Sequence, residues 1–386
     1  MAGGLLKRVG EIALKVESTE GTAETLAAAD ADLAIMDPAF SPNIEHNPRE
    51  VVRQYLSNLA QVTGKRFGGI SFGVEMKGSG SIATVPSWDE ALRCAGFGRS
   101  TVERINIGAV TGGPFTPGEI ITGGTSGATA RVVGQVLTGA ASIPYVVVSG
   151  VLVTAELLTG GTSGATATSS SGPTASQGFV WEPLSAAVPS CTVGFYNDGL
   201  RKLLVGCRST FTAEMVNGGI AKFGFDFQGV YGGVTDLAVL GPTYETAIPE
   251  AFLSANLALQ DAFSPHFTSL NVDMANDVQI RETANNANGG ISAKIVDRDP
   301  SASIDPEATL VADHDWYGKV LSGATGHVHC EVGSTVGTRL IIAMPRVQYQ
   351  SPSEGDRAGI QTLGLTLRMV SESINTGDDE LQIAMI

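Results

Sequence analysis

The sequence predicts a mainly β, antiparallel protein, and three observations carry that expectation. Between Phe179 and Gly233, apolar residues recur at every second position: Cys191, Val193 and Phe195, then Leu203, Val205 and Cys207, then Phe211, Ala213 and Met215, then Ala221, Phe223, Phe225 and Phe227. A period of two belongs to a strand with one buried face. Asn197-Asp198-Gly199 and Asn217-Gly218-Gly219 separate these runs as turns, so the stretch reads as an antiparallel meander. Third, 48 glycines and only 16% charged residues suit a β-rich structural chain better than a helical enzyme or a disordered one. At 386 residues, two domains or one domain with a large insertion are expected.

In chain order, residues 11–17 read as a first strand, 18–22 as a loop and Ala31 to Met36 as a second short strand. Pro38 and Pro42 are expected to end regular pairing, leaving a long irregular segment to about Lys65 with a helical turn at Val51 to Leu56. So long a loop is usually functional or ordered by a partner. Ile70, Phe72, Val74 and Met76 mark the next strand, and Pro86 to Glu90 starts a short helix, with Ser87 and Glu90 spaced as a capping box and Gly96 as its stop. Trp88, Leu92 and Ala95 share its apolar face.

From about Gly108 to Gly178, glycine, threonine, serine and alanine dominate, and residues 119–130 recur as 156–167. Two copies are too few for a solenoid, so the pair reads as two halves of a small β module with Tyr145 to Leu152 as a buried strand between them. Ser169 to Gln177 reads as a linker. Beyond the meander, Pro242, Pro249 and Pro265 punctuate an irregular segment, and strands resume near 270–272 and 291–296. Asp305-Pro306-Glu307 signals a helix start, and Asp313 to Leu321, followed by Gly323, a second short helix. Strands at His327 to Val332, Arg339 to Met344 and Leu363 to Met369, a loop around Pro352 to Gly359, and a last segment, Glu380 to Ile386, able to pair with an edge or a neighbour, complete the reading.

The charge of −15, from 24 basic and 39 acidic residues without a basic run, disfavours direct nucleic-acid binding. Met1 to Glu17 lacks a signal peptide's apolar block, and the longest apolar run, Tyr145 to Leu158, is too short and too polar to span a bilayer, so no membrane insertion is expected. Cys94, Cys191, Cys207 and Cys330 form no CxxC pair. Reduced thiols are the favoured reading, although Cys191 and Cys207 fall nearly opposite on the first hairpin.

His327 and His329 point the same way on a strand while Cys330 points the other, so no three-ligand metal cluster forms locally. The two GGTSGA turns lack the Gly-Lys-Ser/Thr ending of a phosphate loop and read as tight turns. Asp297/Asp299, Asp313/Asp315 and Asp378-Asp379-Glu380 read as turn and cap residues. No catalytic, cofactor-binding or metal-ligating residue is assigned.

Several stretches in order resemble the major tail tube proteins of long, non-contractile-tailed bacteriophages: residues 14–22, 69–80, Pro86-Ser87-Trp88 to Phe97, 197–206, 223–231 and the strand 363–369. The resemblance covers about 1–107 and 179–386, a discontinuous core, and leaves 108–178 as an inserted module expected on the outside of a tube. It implies a β-sandwich or barrel-like subunit with one or two short flanking helices. Such subunits form rings, expected to be hexameric, that stack into a virion tail tube delivering DNA to the host. It further implies a tape measure protein inside the tube, tail tip and terminator proteins at its ends, assembly in the host cytoplasm, and transient passage of DNA without specific binding. The segment 38–65 and both termini are then candidates to order against the next ring, and the lumen is expected to be acidic or neutral so that phosphates do not stick. Two other readings compete: a secreted or surface β-rich module binding carbohydrate or another ligand, and a metal-assisted hydrolase using His327 and His329.

Overall fold

The computed structural model describes residues 4–259, 263–372 and 377–386; residues 260–262, inside the expected irregular segment, lie outside it. Its first part comprises β1 (Gly10–Val16), β2 (Ile35–Asn47), β3 (Val62–Glu75), α1 (Asp89–Cys94), β4 (Phe97–Thr101) and β5 (Glu103–Asn106). Next come β6 (Ile120–Gly123), β7 (Thr129–Val132), β8 (Ser142–Ser149), β9 (Leu157–Gly160) and β10 (Thr166–Thr168). The meander region holds β11 (Phe179–Pro183), β12 (Cys191–Asn197), β13 (Leu200–Val216) and β14 (Lys222–Asp236). The last part holds β15 (Ser269–Asp273), β16 (Asn276–Glu282), β17 (Gly290–Arg298), β18 (Ser301–Ile304), α2 (Trp316–Ser322), β19 (Thr325–Val332), β20 (Leu340–Arg357), β21 (Ile360–Met369) and β22 (Gln382–Met385).

A 14-stranded sheet runs β2-β3-β14-β13-β15-β18-β21-β20-β22-β11-β4, with β1 and β12 branching from β13 and β19 from β20. The path ends in two different strands, so the sheet is open. The long strands β13 and β20 each change partners along their length, which folds the sheet over into a β-sandwich. One layer turns Phe72, Phe211, Phe223 and Phe227 inward, the other Cys330, Ile342, Met344 and Ile383, and these belong to one apolar cluster. Trp88, the N-cap of α1, adds a ring 4.6 Å from Trp181 and 5.2 Å from Phe223. Trp181 Nε1 in turn donates to buried Asp89 at 2.7 Å.

A third layer is the six-stranded sheet β10-β9-β6-β7-β8-β5, with its own core of Phe115, Ile121, Val132, Ile143, Tyr145 and Leu158. It lies on the outer face of β20, β22 and β11, where Val133 and Val146 meet Val180, Ile341, Ala343 and Ala384. This cover explains why all four residues of β22 are buried although alternate ones point away from the sandwich core.

The meander expectation holds with one change: the two middle runs form a single strand, β13. Bulges between Leu203 and Leu204 and between Val205 and Arg208 shift its register, so Leu204 rather than Val205 enters the core. Both short helices are present. α2 has Asp315 as its N-cap, accepting from Gly318 N at 2.8 Å, and Gly323 in the left-handed conformation as its C-cap. At α1 the expected capping box does not form, because Ser87 instead donates to Glu245.

Several expectations are corrected. Pro38 and Pro42 do not end pairing, because β2 lies at the edge of the sheet, where a missing N–H costs no ladder bond. The irregular segment therefore shrinks to residues 48–61, without the helical turn at Val51 to Leu56. Asp305-Pro306-Glu307 starts no helix; Asp305 accepts from Thr268 N and Ser269 N at 2.9 and 2.7 Å. The loop expected around 352–359 is mostly strand, since the β20–β21 hairpin continues to Arg357 and Ile360. Residues 145–152 are mostly exposed, Val147 and Val148 among them, and only Tyr145 and Leu152 are buried. The expected linker is pinned against residues 102–107 by backbone bonds such as Thr174 N to Arg104 O and Gln177 N to Val102 O. The last segment is no edge strand, because β22 sits between β20 and β11.

Candidate assembly surfaces

The residues flagged for chemistry in the sequence are occupied in structural contacts. His329 Nδ1 accepts from Gln135 N at 3.2 Å, which leaves its proton on Nε2, 3.3 Å from Glu331 Oε1. His327 Nε2 lies 3.2 Å from Gln135 Nε2. Both imidazoles thus hold a turn of the third layer rather than converge with Cys330, and no group of three or more metal-ligating side chains occurs among the described residues. Burial raises the carboxyl of Glu331, but His329, Asn256 and Arg339 outweigh it and bring it down to about 2. The acid clusters serve as partners: Asp378 and Glu380 both bind Arg298, at 2.6 and 3.1 Å, and Asp299 binds Arg368 at 2.9 Å. The four cysteines are buried free thiols, and Cys191 stands opposite Cys207 in the register.

The repeated turns contain residues that the sequence reading overlooked. Glu119 and Glu156 open the two copies, and each carboxylate crosses to the turn of the other copy. Glu119 accepts from Thr162 N, Ser163 N and Ser163 Oγ at 3.1, 3.0 and 2.8 Å. Glu156 accepts from Thr125 N, Ser126 N and Ser126 Oγ at 3.3, 3.0 and 2.9 Å. The exchange follows from β6 pairing with β9 with Thr122 opposite Thr159, its own equivalent 37 residues on, so that a local two-fold relates the copies. Both glutamates are buried. A Cβ on Gly160 would come within 2.6 Å of Glu119 Oε2, which is why the turn needs glycine there. A signal was present in the sequence, since one acidic residue recurs in an otherwise uncharged repeat.

Beyond the apolar contact, the third layer is held to the sandwich by polar groups. Gln382 Nε2 donates to Val132 O at 3.2 Å and to Glu182 Oε1 at 2.9 Å, and Arg131 pairs with Glu182 at 3.1 Å. Gly134 sits at φ 69°, and a Cβ there would press on His329 and Ile341 at 3.1 and 3.2 Å. Beside this seam lies a cleft of about 880 Å³ between Gly112–Pro114 and His327, Pro345 and Arg346.

Three surfaces bear on assembly among the described residues. The first is the β2–β3 hairpin, an arm whose tip, residues 48–58, is exposed throughout and carries fully exposed Val52 and Leu56 beside Val51 and Tyr55. The second is the pair of path ends, β2 and β4, each bonded on one side only. The third is the outward face of β3, β14, β13, β15 and β18. It presents Ser71, Thr212, Glu214, Asp226, Asp273 and Ser303 and lies across the sandwich from the third layer. Lys222 on this face is paired with Glu214 at 3.0 Å.

A family model described as phage tail tube protein matches residues 8–367. Comparison with curated proteins finds no match.

Proposed function

The chain belongs to the phage tail tube protein family, and we propose that six copies close into a ring, that rings stack into a tube, and that the tube conducts DNA to the host. It is accordingly a structural component of the virion tail, and the family implies assembly of many subunits. Our reading is that this assembly takes place in the host cytoplasm around a tape measure protein, with tip and terminator proteins at its ends, in a phage of the long, non-contractile-tailed kind.

The observation that carries the reading is the order of layers. One outer face of the sandwich is small, hydroxylated and acidic, and the other is covered by the third layer. We place the polar face toward the bore. There Glu214, Asp226 and Asp273 repel passing phosphates weakly, and paired Lys222 offers no sticking point. The third layer, the inserted module 108–178 joined by β5 from the end of the core segment 1–107, then faces outward. Free edges at β2 and β4 suit a heterologous, ring-closing contact between different surfaces of neighbouring copies.

Negative-stain electron microscopy of concentrated protein tests the proposal. Rings with six-fold symmetry or tubes are expected; persistent monomers even with tail-tip initiators present would contradict it.

A further inference from the structure

We propose that the cleft between the third layer and the sandwich is a binding site for a neutral pyranose sugar. The inference rests on the tube reading only for its place, which puts the cleft on the outside of the tail; binding itself does not depend on assembly.

The cleft exists because two layers meet there without closing. On one side stand the loop 112–114 and the second GGTSGA turn, and on the other Thr325, Pro345, Arg346 and Glu372. Its volume of about 880 Å³ falls within the range of about 300–1,000 Å³ usual for small-molecule sites. Gly112 and Gly113, at φ 82° and 115°, present bare backbone to it, and a Cβ on Gly113 would meet no atom within 4 Å. The polar groups are held in place in advance. Arg346 Nε donates to Thr325 Oγ1 at 3.1 Å and its Nη1 to the Glu372 carbonyl at 3.0 Å, which fixes the guanidinium on the wall. From the opposite wall, Thr162 Oγ1 donates to the Glu372 carboxyl and Ser163 Oγ to Glu119 at 2.8 Å.

The lining selects the ligand. Apart from the His327 imidazole, no aromatic ring lines the cleft among the described residues, so a nucleobase finds nothing to stack on. Pro114 and Pro345 offer its main apolar surface, too little for a lipid chain. Glu119 and Asp379 act on the Glu372 wall of a chain whose charge is −15, and they oppose an anion. Burial pushes the Glu372 carboxyl up, and Asp379 and Glu119 add to the rise against Thr162 and Arg346. The protonated form, which donates as well as accepts, is thereby favoured. Carboxyl, hydroxyl and guanidinium groups together match the adjacent hydroxyls of a sugar, each both donor and acceptor, while the two prolines supply contact for its C–H groups.

Saturation-transfer difference NMR of the wild-type chain with glucose, galactose, mannose and N-acetylglucosamine tests the proposal, with N-acetylneuraminic acid as the anionic counterpart. At least one neutral sugar is expected to give a signal, and the anionic sugar a signal at least tenfold smaller. Thr162→Trp, on an exposed turn, fills the mouth of the cleft, and Arg346→Gln removes the guanidinium. Each is expected to reduce the signal at least tenfold while the melting temperature and assembly stay those of the wild type. Oligosaccharides of the bound sugar separate its two sources: a trisaccharide bound at least tenfold more tightly marks a polysaccharide chain, equal binding marks a free sugar, and both support the site. No signal from any neutral sugar, an equal signal from the anionic one, or a signal kept by both variants would overturn it. If the wild-type chain binds sugar but makes no tubes, the tube reading fails and the site stands.

Discussion

Glu119 and Glu156 show how single residues hold the third layer. Each buried carboxylate accepts several hydrogen bonds from the other repeat. Burial pushes the Glu156 carboxyl up, but the N–H groups of Ser126 and Val153 and the Ser126 hydroxyl prevail and hold it below the usual range. Replacing either residue by Gln removes a charged acceptor, and hydrogen bonds to charged groups contribute about 1.5–3 kcal/mol each. E119Q and E156Q are each expected to lower stability by about that amount in a denaturant titration. An unchanged midpoint would show that the reciprocal bonds contribute nothing. Acid has a related effect at Glu20 and Glu331, whose folded carboxyls lie at about 2 against an ordinary 4.5. In Glu20 burial acts upward and is outweighed by Ser292, Arg208 and Lys294. A depressed value means stability that is fully present above 4.5 and lost as pH falls toward 2. The melting temperature should therefore fall across that window, and E331Q should flatten part of the fall.

At the scale of elements, the strands with period-two patterns were legible in advance because one face meets the core and the other water. β14 is the clearest case, with Phe223, Phe225 and Phe227 buried and Lys222, Asp226 and Gln228 exposed. Truncating Phe223 to Ala is expected to cost about 3–5 kcal/mol, read from the shift in unfolding midpoint. Elements buried on both faces, or on neither, were not legible. β22 has no alternation because the third layer covers its second face, and β2 hides behind Pro38 and Pro42, which only an edge strand tolerates. Proline position reports ladder geometry, which a sequence does not reveal until the neighbouring strands are known. The seam at Gln135, His329 and Gln382 was likewise invisible, since it joins residues up to 250 positions apart. The long segment after Pro38 was expected to be irregular, and its form as a paired arm with a short exposed tip depended on tertiary pairing. Deleting residues 49–58 is expected to abolish stacking and to leave the melting curve within about 0.5 kcal/mol of wild type, as for surface changes elsewhere.

For the whole molecule, three stacked layers turn sequence composition into an orientation. The polar face carries Glu214, Asp226 and Asp273 with Lys222 held by Glu214, and the third layer closes the opposite apolar face of Val180, Ile341, Ala343 and Ala384. Removing residues 108–178 should therefore produce an aggregating chain rather than a thinner tube, because that face is left open to water. Light scattering of the deletion variant after refolding would show it; a soluble, assembly-competent deletion variant would mean the layer is a mere appendage. A cryo-electron microscopy reconstruction of the assembled tube decides which layer lines the bore. Ser71, Thr212, Asp226 and Ser303 are expected on the inner wall and the GGTSGA turns of the third layer at the outer radius. A reconstruction with the third layer in the bore, or with the polar face outward, would contradict that placement.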